Sequence, residues 1–202
     1  MAEADKPPLI LASASERRRQ LLADAGLAFE VVVPTIHEPD EVVGKLSPTQ
    51  QAEALAYFKA RMVWDLRPDA VVLGADTIVA LGGRTLGKPA DQDEARQMLS
   101  SLSGTRHAVI TGVAIIAPGG DRLIASEVTY VTMRKLASGE IDAYLASGEW
   151  AGKAGAYAIQ ETADRFVQNL EGSFSNVIGL PMELVERMLR EIQHRAAARR
   201  SS

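Results

Sequence analysis

The spacing of apolar residues changes period several times along the chain, and each change marks an element. "LILA" at Leu9–Ala12 is an unbroken apolar run, which reads as a buried strand. Glu16–Ala25 then sets Leu21, Leu22 and Ala25 inward with Gly26 behind them, the pattern of a helix and its stop. Phe29–Val33 reads as the next strand, and Pro48–Leu66, with Ala52, Leu55, Ala56 and Val63 at helical spacing, as a long, partly buried helix. Residues 69–89 are apolar and β-branched until Gly82-Gly83, so a buried strand should run into a hairpin. Asp91 and Glu94 have capping-box spacing before a helix that ends at Leu102. Two longer strands follow, His107–Ala117 and Leu123–Met133, turning at Gly119-Gly120, and then a helix over Ser138–Ser147. "SGEWAGKAGAYAIQ", residues 147–160, is glycine-rich and weakly periodic, as a loop bordering a site would be. Pro181 opens the last helix, and "RAAARRSS" reads as a frayed basic tail.

Strands that first interleave with helices and then follow one another point to an α/β protein with a mixed twisted sheet and flanking helices. There is no internal repeat and no linker. The 202 residues suit one domain or two merged lobes, with 1–7 and 195–202 as flexible tails.

Charge and composition narrow the partners. Basic residues number 22 and acidic ones 26, a net charge of −4, which argues against general attraction to nucleic acid or an anionic membrane. Any anion site must therefore be local. The chain has no cysteine, which excludes disulfides, thiolate zinc sites and cysteine nucleophiles. "MAEADKPPLI" lacks a signal-peptide layout, and no apolar run approaches the roughly 20 residues that span a bilayer, so the expected compartment is the cytoplasm.

Candidate chemistry begins at "LASASERRRQLL", residues 11–22, where a strand passes through small hydroxyl residues into a helix start. Unpaired N–H groups and the helix dipole favour an anion there, and Arg17 and Arg18 add forked donors that match phosphate. The same stretch has a purely structural reading, since Ser13 and Glu16 are spaced as a capping box. Asp76 follows "AVVLGA" and should lie at the carboxyl end of a central strand, where open α/β sheets place ligands. A carboxylate there can hold a divalent metal or take a proton from water, or simply form a turn. Lys59, on the preceding helix, and Lys88, in "GKP", are cations that gain meaning only by converging on one place, and Glu38 in "TIHEPD" is a candidate second carboxylate.

Together, "LILASASERRRQLL", "VVLGADTIV", "LGKP", "KAGAYAIQ" and "GSFSNVIGLP" resemble, in order and at compatible spacing over residues 8–190, the Maf family of nucleotide pyrophosphatases. The resemblance implies an elongated, two-lobed fold similar to the inosine triphosphate pyrophosphatases, with a central cleft. It implies hydrolysis of nucleoside triphosphates to monophosphate and pyrophosphate with a divalent cation, Mg or Mn. Asp76 is implied as general base, with Ser13, Arg17, Arg18, Lys59 and Lys88 as triphosphate ligands and Glu38 with Asp76 at the metal. "ADT" and "GAYAIQ" resemble the dTTP/UTP subfamily, in which Arg17, Thr77 and Gln160 would set specificity. A sister group acts on 7-methyl-GTP, and the family's association with septum formation leaves a nucleotide-binding regulator as the other class of function; a homodimer is left open. Three departures stand out: Glu16 where the family has proline, His37 in "IHE" for the commoner "IDE", and "LAYFKA" for "LAREKA" around Lys59.

Overall fold

A computed structural model describes residues 7–35, 46–159 and 162–200. Among these residues seven strands form one mixed sheet: β1 (Leu9–Ala12), β2 (Glu30–Val31), β3 (Val71–Leu81), β4 (Arg84–Leu86), β5 (Arg106–Ile116), β6 (Arg122–Met133) and β7 (Val167–Glu171). The order is β2-β1-β3-β5-β6-β7, with β4 also paired to β3. β1 runs parallel to β2 and β3, and every other pairing is antiparallel. The helices are α1 (Glu16–Asp24), α2 (Pro48–Trp64), α3 (Gln92–Leu102), α4 (Ser138–Ser147), α5 (Phe174–Ile178) and α6 (Met182–Arg200). No helix among the described residues is long and apolar enough to cross a membrane.

One face of the sheet is covered by α2. Ser47 and Gln50 close a reciprocal capping box at its start, with Pro48 in the first turn. Ala52, Ala56 and Ala60, four residues apart, turn the helix's smallest side chains to the strands, where they meet Gly74 and Gly112. A Cβ added to Gly74 would stand 2.3 Å from the Ala56 carbonyl oxygen, and one on Gly112 would stand 2.2 Å from that of Ala52. The helix backbone thus rests directly on β3 and β5.

The opposite face carries two cores. Leu11, Leu73, Val113 and Ile115 pack with Leu22 of α1 and Leu184, Val185 and Met188 of α6. Further along the same long strands, Val79, Val109 and Val131 pack with Leu99 and Leu102 of α3, Tyr144 of α4 and Phe166. The two cores therefore share β3, β5 and β6, and α5 contributes Val177 to the second.

Three expectations need correction. The second strand was expected over residues 29–33, but its ladder spans Glu30–Val31 alone, the next bond passing from Val32 N to Leu11 O at 3.1 Å. The cap of α1 is Ser15, whose Oγ accepts from Arg18 N at 3.5 Å. Ser13 is two residues too early to reach that amide, because the helix starts at Glu16. The basic tail is not frayed at its start: α6 continues through Arg200, and Arg195 and Arg199, one turn apart, both pair with Asp121 beside the Gly119-Gly120 turn, at 3.7 and 3.1 Å.

Candidate active site

β3 has an incomplete edge. β1 accompanies it only as far as the Ala12–Gly74 pair, and β4 takes up the same edge only from Val79. Between them, Ala75–Ile78 have no strand partner on that side among the described residues. Asp76 and Thr77 lie in this gap, and as neighbours in a strand they point to opposite faces. A cleft at the gap is therefore reached by side chains from both layers.

On the α2 face, Lys59 and Asp76 form an ion pair through Nζ and Oδ1, with side chains 16% and 14% exposed. The pairing follows from the fold: Gly74 receives Ala56 and Ala60, which flank Lys59, and Asp76 is the next residue of β3 on that face. On the other face the partly buried Arg18 reaches β3 and the end of α5. Its Nε donates to Gly179 O at 2.8 Å, its Nη1 to Ala75 O at 2.8 Å and Ser13 Oγ at 3.3 Å, and its Nη2 to Thr77 Oγ1 at 3.0 Å. Desolvation lowers its pKa from the ordinary arginine value, partly opposed by the charge of Asp76. Gly179 has φ +129°, so a residue with a side chain would be strained there, although its Cβ would meet Arg18 Nε only at ordinary contact, 3.5 Å.

The cleft holds about 740 Å³ of open space, including the part continuous with solvent. Ser15 and Arg17 border it from the start of α1, and Lys88 from the loop after β4. Further along β3 and β5 the lining turns apolar with Val79, Val109, Tyr157, Ile159 and Val177. Behind the wall, His107 Nε2 lies 2.6 Å from the Tyr157 hydroxyl, the rings meeting edge-on. Burial holds the His107 pKa down at about 4 and pushes that of Tyr157 up.

Residues 8–192 match the Maf-like protein family. The chain belongs to that family. This Maf-like chain is 45% identical over 184 residues to a protein of Pelotomaculum thermopropionicum named dTTP/UTP pyrophosphatase, covering 91% of the chain and 95% of the relative. It is 48% identical over 182 residues to a protein of Moorella thermoacetica with the same name, covering 90% and 93%. Among solved structures, a nucleoside-triphosphatase / dITP/XTP pyrophosphatase from Mycobacterium abscessus overlaps 62% of the chain and 72% of its own, at 16% identity and a TM-score of 0.40.

In the Maf-like chain, Arg17, Arg18, Lys59, Asp76, Thr77 and Lys88 all border the cleft. Ser13 does not: it is buried behind Arg18, its Oγ accepting from Ser15 N at 3.1 Å as well as from the guanidinium. Glu38, His37 and Gln160 lie outside the described residues. Glu16 is exposed and paired with Arg19 of the same helix, which draws its charge away from the cleft. Ser15, His107, Tyr157, Thr111 and Asn176 carried no expected role, although Ser15 is one of the small hydroxyl residues of "LASASERRRQLL", Tyr157 lies in "GAYAIQ" and Asn176 in "GSFSNVIGLP".

The donor set can be tested against a divalent cation. No group of three or more His, Asp or Glu residues stands ready to hold a metal among the described residues, and Asp76 is the one carboxylate among them that lines the cleft. Such a site suits a hard cation that takes one or two carboxylates and draws its other ligands from substrate phosphates and water.

Proposed function

We propose that this chain hydrolyses dTTP and UTP to the monophosphate and pyrophosphate by attack of water on the α-phosphate. The observation that carries the reading is the Lys59–Asp76 pair in the open edge of β3, inside a cleft that also presents Arg17 and Lys88. The names of the relatives from Pelotomaculum and Moorella support the substrate class. Asp76 takes the proton of the attacking water, and Lys59 orients its carboxylate. Arg17, Lys88 and the free N–H groups at the start of α1 offset the negative charge that grows on the departing pyrophosphate.

A divalent cation, Mg or Mn, held by Asp76 with Glu38 as the second carboxylate, would supply further neutralisation of the phosphates. The apolar lining from Val79 to Val177 receives the nucleoside. Gln160 is the proposed contact for pyrimidine selection; an amide offers one donor and one acceptor edge to a base. The test is pyrophosphate release across dTTP, UTP, dGTP and 7-methyl-GTP with Mg or Mn. Faster release from the two pyrimidine nucleotides supports the proposal. Preference for 7-methyl-GTP would move the chain to the sister activity, and saturable binding without release would make it a nucleotide-binding regulator.

A further inference from the structure

Thr77 and Thr111 face each other across β3 and β5, paired in register, with their hydroxyl oxygens 3.0 Å apart. Thr111 is fully buried, and its hydroxyl donates to the Asn176 carbonyl at 3.1 Å. A hydroxyl has one proton, and Thr111 gives its own to Asn176 O; Thr77 has two acceptors in reach, Thr111 Oγ1 at 3.0 Å and Gly179 O at 3.5 Å, and donates to the nearer. Thr77 Oγ1 in turn accepts from Arg18 Nη2. The bonds run in one direction: Arg18 to Thr77, Thr77 to Thr111, Thr111 to the backbone of α5.

Both ends of this chain close on the same short segment. Arg18 Nε also binds Gly179 O, so the carbonyls of Asn176 and Gly179 are both held, and between them lie Val177 and Ile178, which line the cleft. The Asn176 side chain is itself fastened to Val109 O and Thr129 Oγ1, each at 3.0 Å. Thr77 has spent its proton and has none to offer a base. Arg18 has committed four of the five N–H groups of a guanidinium to protein acceptors, which leaves Arg17 as the arginine open to phosphate.

We infer that Thr111 and Arg18 are positioning residues for substrate selection, acting through Thr77 to fix how far Val177–Gly179 stands from β3, and hence the shape of the nucleoside end of the cleft. The inference rests on the pyrimidine triphosphate reading above. Thr77 then influences selectivity by holding a wall, without touching the base.

Thr111→Val is the decisive variant, because this residue is fully buried and does not border the cleft. The readout is the ratio of kcat/KM for dTTP to that for dGTP. Thr111→Val should shift the ratio by about threefold to tenfold, the scale of one neutral hydrogen bond, and Thr77→Val should shift it in the same direction. The double variant should go no further than the larger single one, since both break one network. Thr111→Ser restores the hydroxyl and should return the ratio to within about twofold of the unmodified enzyme. Should the valine variant fail to fold, Thr111→Cys, with a much weaker donor of similar size, gives the same comparison.

An unchanged ratio in Thr111→Val beside a shifted one in Thr77→Val would mean that Thr77 acts by contact, and the inference fails. Shifts that multiply in the double variant would overturn it as well. An unmodified enzyme that releases no pyrophosphate from any triphosphate overturns the functional reading and this inference with it. Normal release with an unresponsive Thr111→Val overturns the inference alone.

Discussion

Gly74→Ala should damage stability and catalysis together, because one close contact serves both. The new Cβ would sit 2.3 Å from Ala56 O and 2.7 Å from Ala60 N, where ordinary contact begins at 3.4 Å, so α2 must retreat by about 1 Å. The contacting atoms are helix backbone and cannot rotate away. Replacing glycine at an unstrained position would by itself stabilise by about 0.4–1 kcal/mol through the unfolded chain. Overpacking opposes this with about 1–3 kcal/mol, and the rigid contact places the cost near the upper end. The expected net loss is about 2 kcal/mol, or about 4–8 °C in Tm for a chain of this size. The same retreat carries Lys59 away from Asp76, and a misplacement of about 1 Å at a reacting centre can cost about a hundredfold in rate. Urea unfolding and pyrophosphate release from dTTP read the two effects. Gly139→Ala, at a position with no atom within 4 Å of the added Cβ, serves as control and should leave both nearly unchanged or slightly improve stability. A Gly74→Ala enzyme as stable and as fast as the control would refute the idea that α2 sets the Lys59–Asp76 geometry.

Asp76→Asn keeps the side-chain shape but removes the base, and kcat for dTTP should fall by about two orders of magnitude or more with circular dichroism unchanged; near-normal turnover would remove Asp76 from the chemistry. Arg17→Ala should lower kcat/KM for dTTP by about tenfold or more through a lost charge-assisted phosphate contact, and an unaltered value would contradict that contact. His107 titrates at about 4 in the fold against 6.5 ordinarily, so the unfolded chain binds the extra proton. Stability from this residue is complete above pH 6.5 and declines as pH falls toward 4, with about 2 kcal/mol lost between pH 7 and 5. Urea midpoints across that interval should show the decline, and His107→Phe should flatten it; equal slopes in both proteins would place the effect elsewhere.

Elements whose signals are local were legible from the chain. The expected boundaries of β1, the Ser138–Ser147 helix and the turn at Gly119-Gly120 agree with the structure because each depends on a short apolar pattern or a glycine pair. The cap of α1 was harder, since Ser13 and Ser15 are both hydroxyl residues near the helix start and the choice depends on which amide is third in line. The order seen at the C-terminus came from Asp121, distant in sequence, which holds Arg195 and Arg199. The cleft's cations, Arg17, Arg18, Lys59 and Lys88, and its acid could be named in advance, but their arrangement could not. That Asp76 and Thr77, on opposite faces of a strand, serve one cleft follows from where β1 stops and β4 begins. The Thr77–Thr111 bond needs the β3–β5 register, and the burial of Ser13 needs Arg18 folded over it. Both are properties of pairing between distant segments, and no periodicity in either segment encodes them.

The central claim is that water attacks the α-phosphate in the cleft beside Asp76, and hydrolysis of dTTP in ¹⁸O-enriched water tests it most directly. Mass spectrometry of the products should find the label in dTMP and none in pyrophosphate, with both products lost in Asp76→Asn. Label in pyrophosphate, or products consisting of dTDP and orthophosphate, would contradict the account.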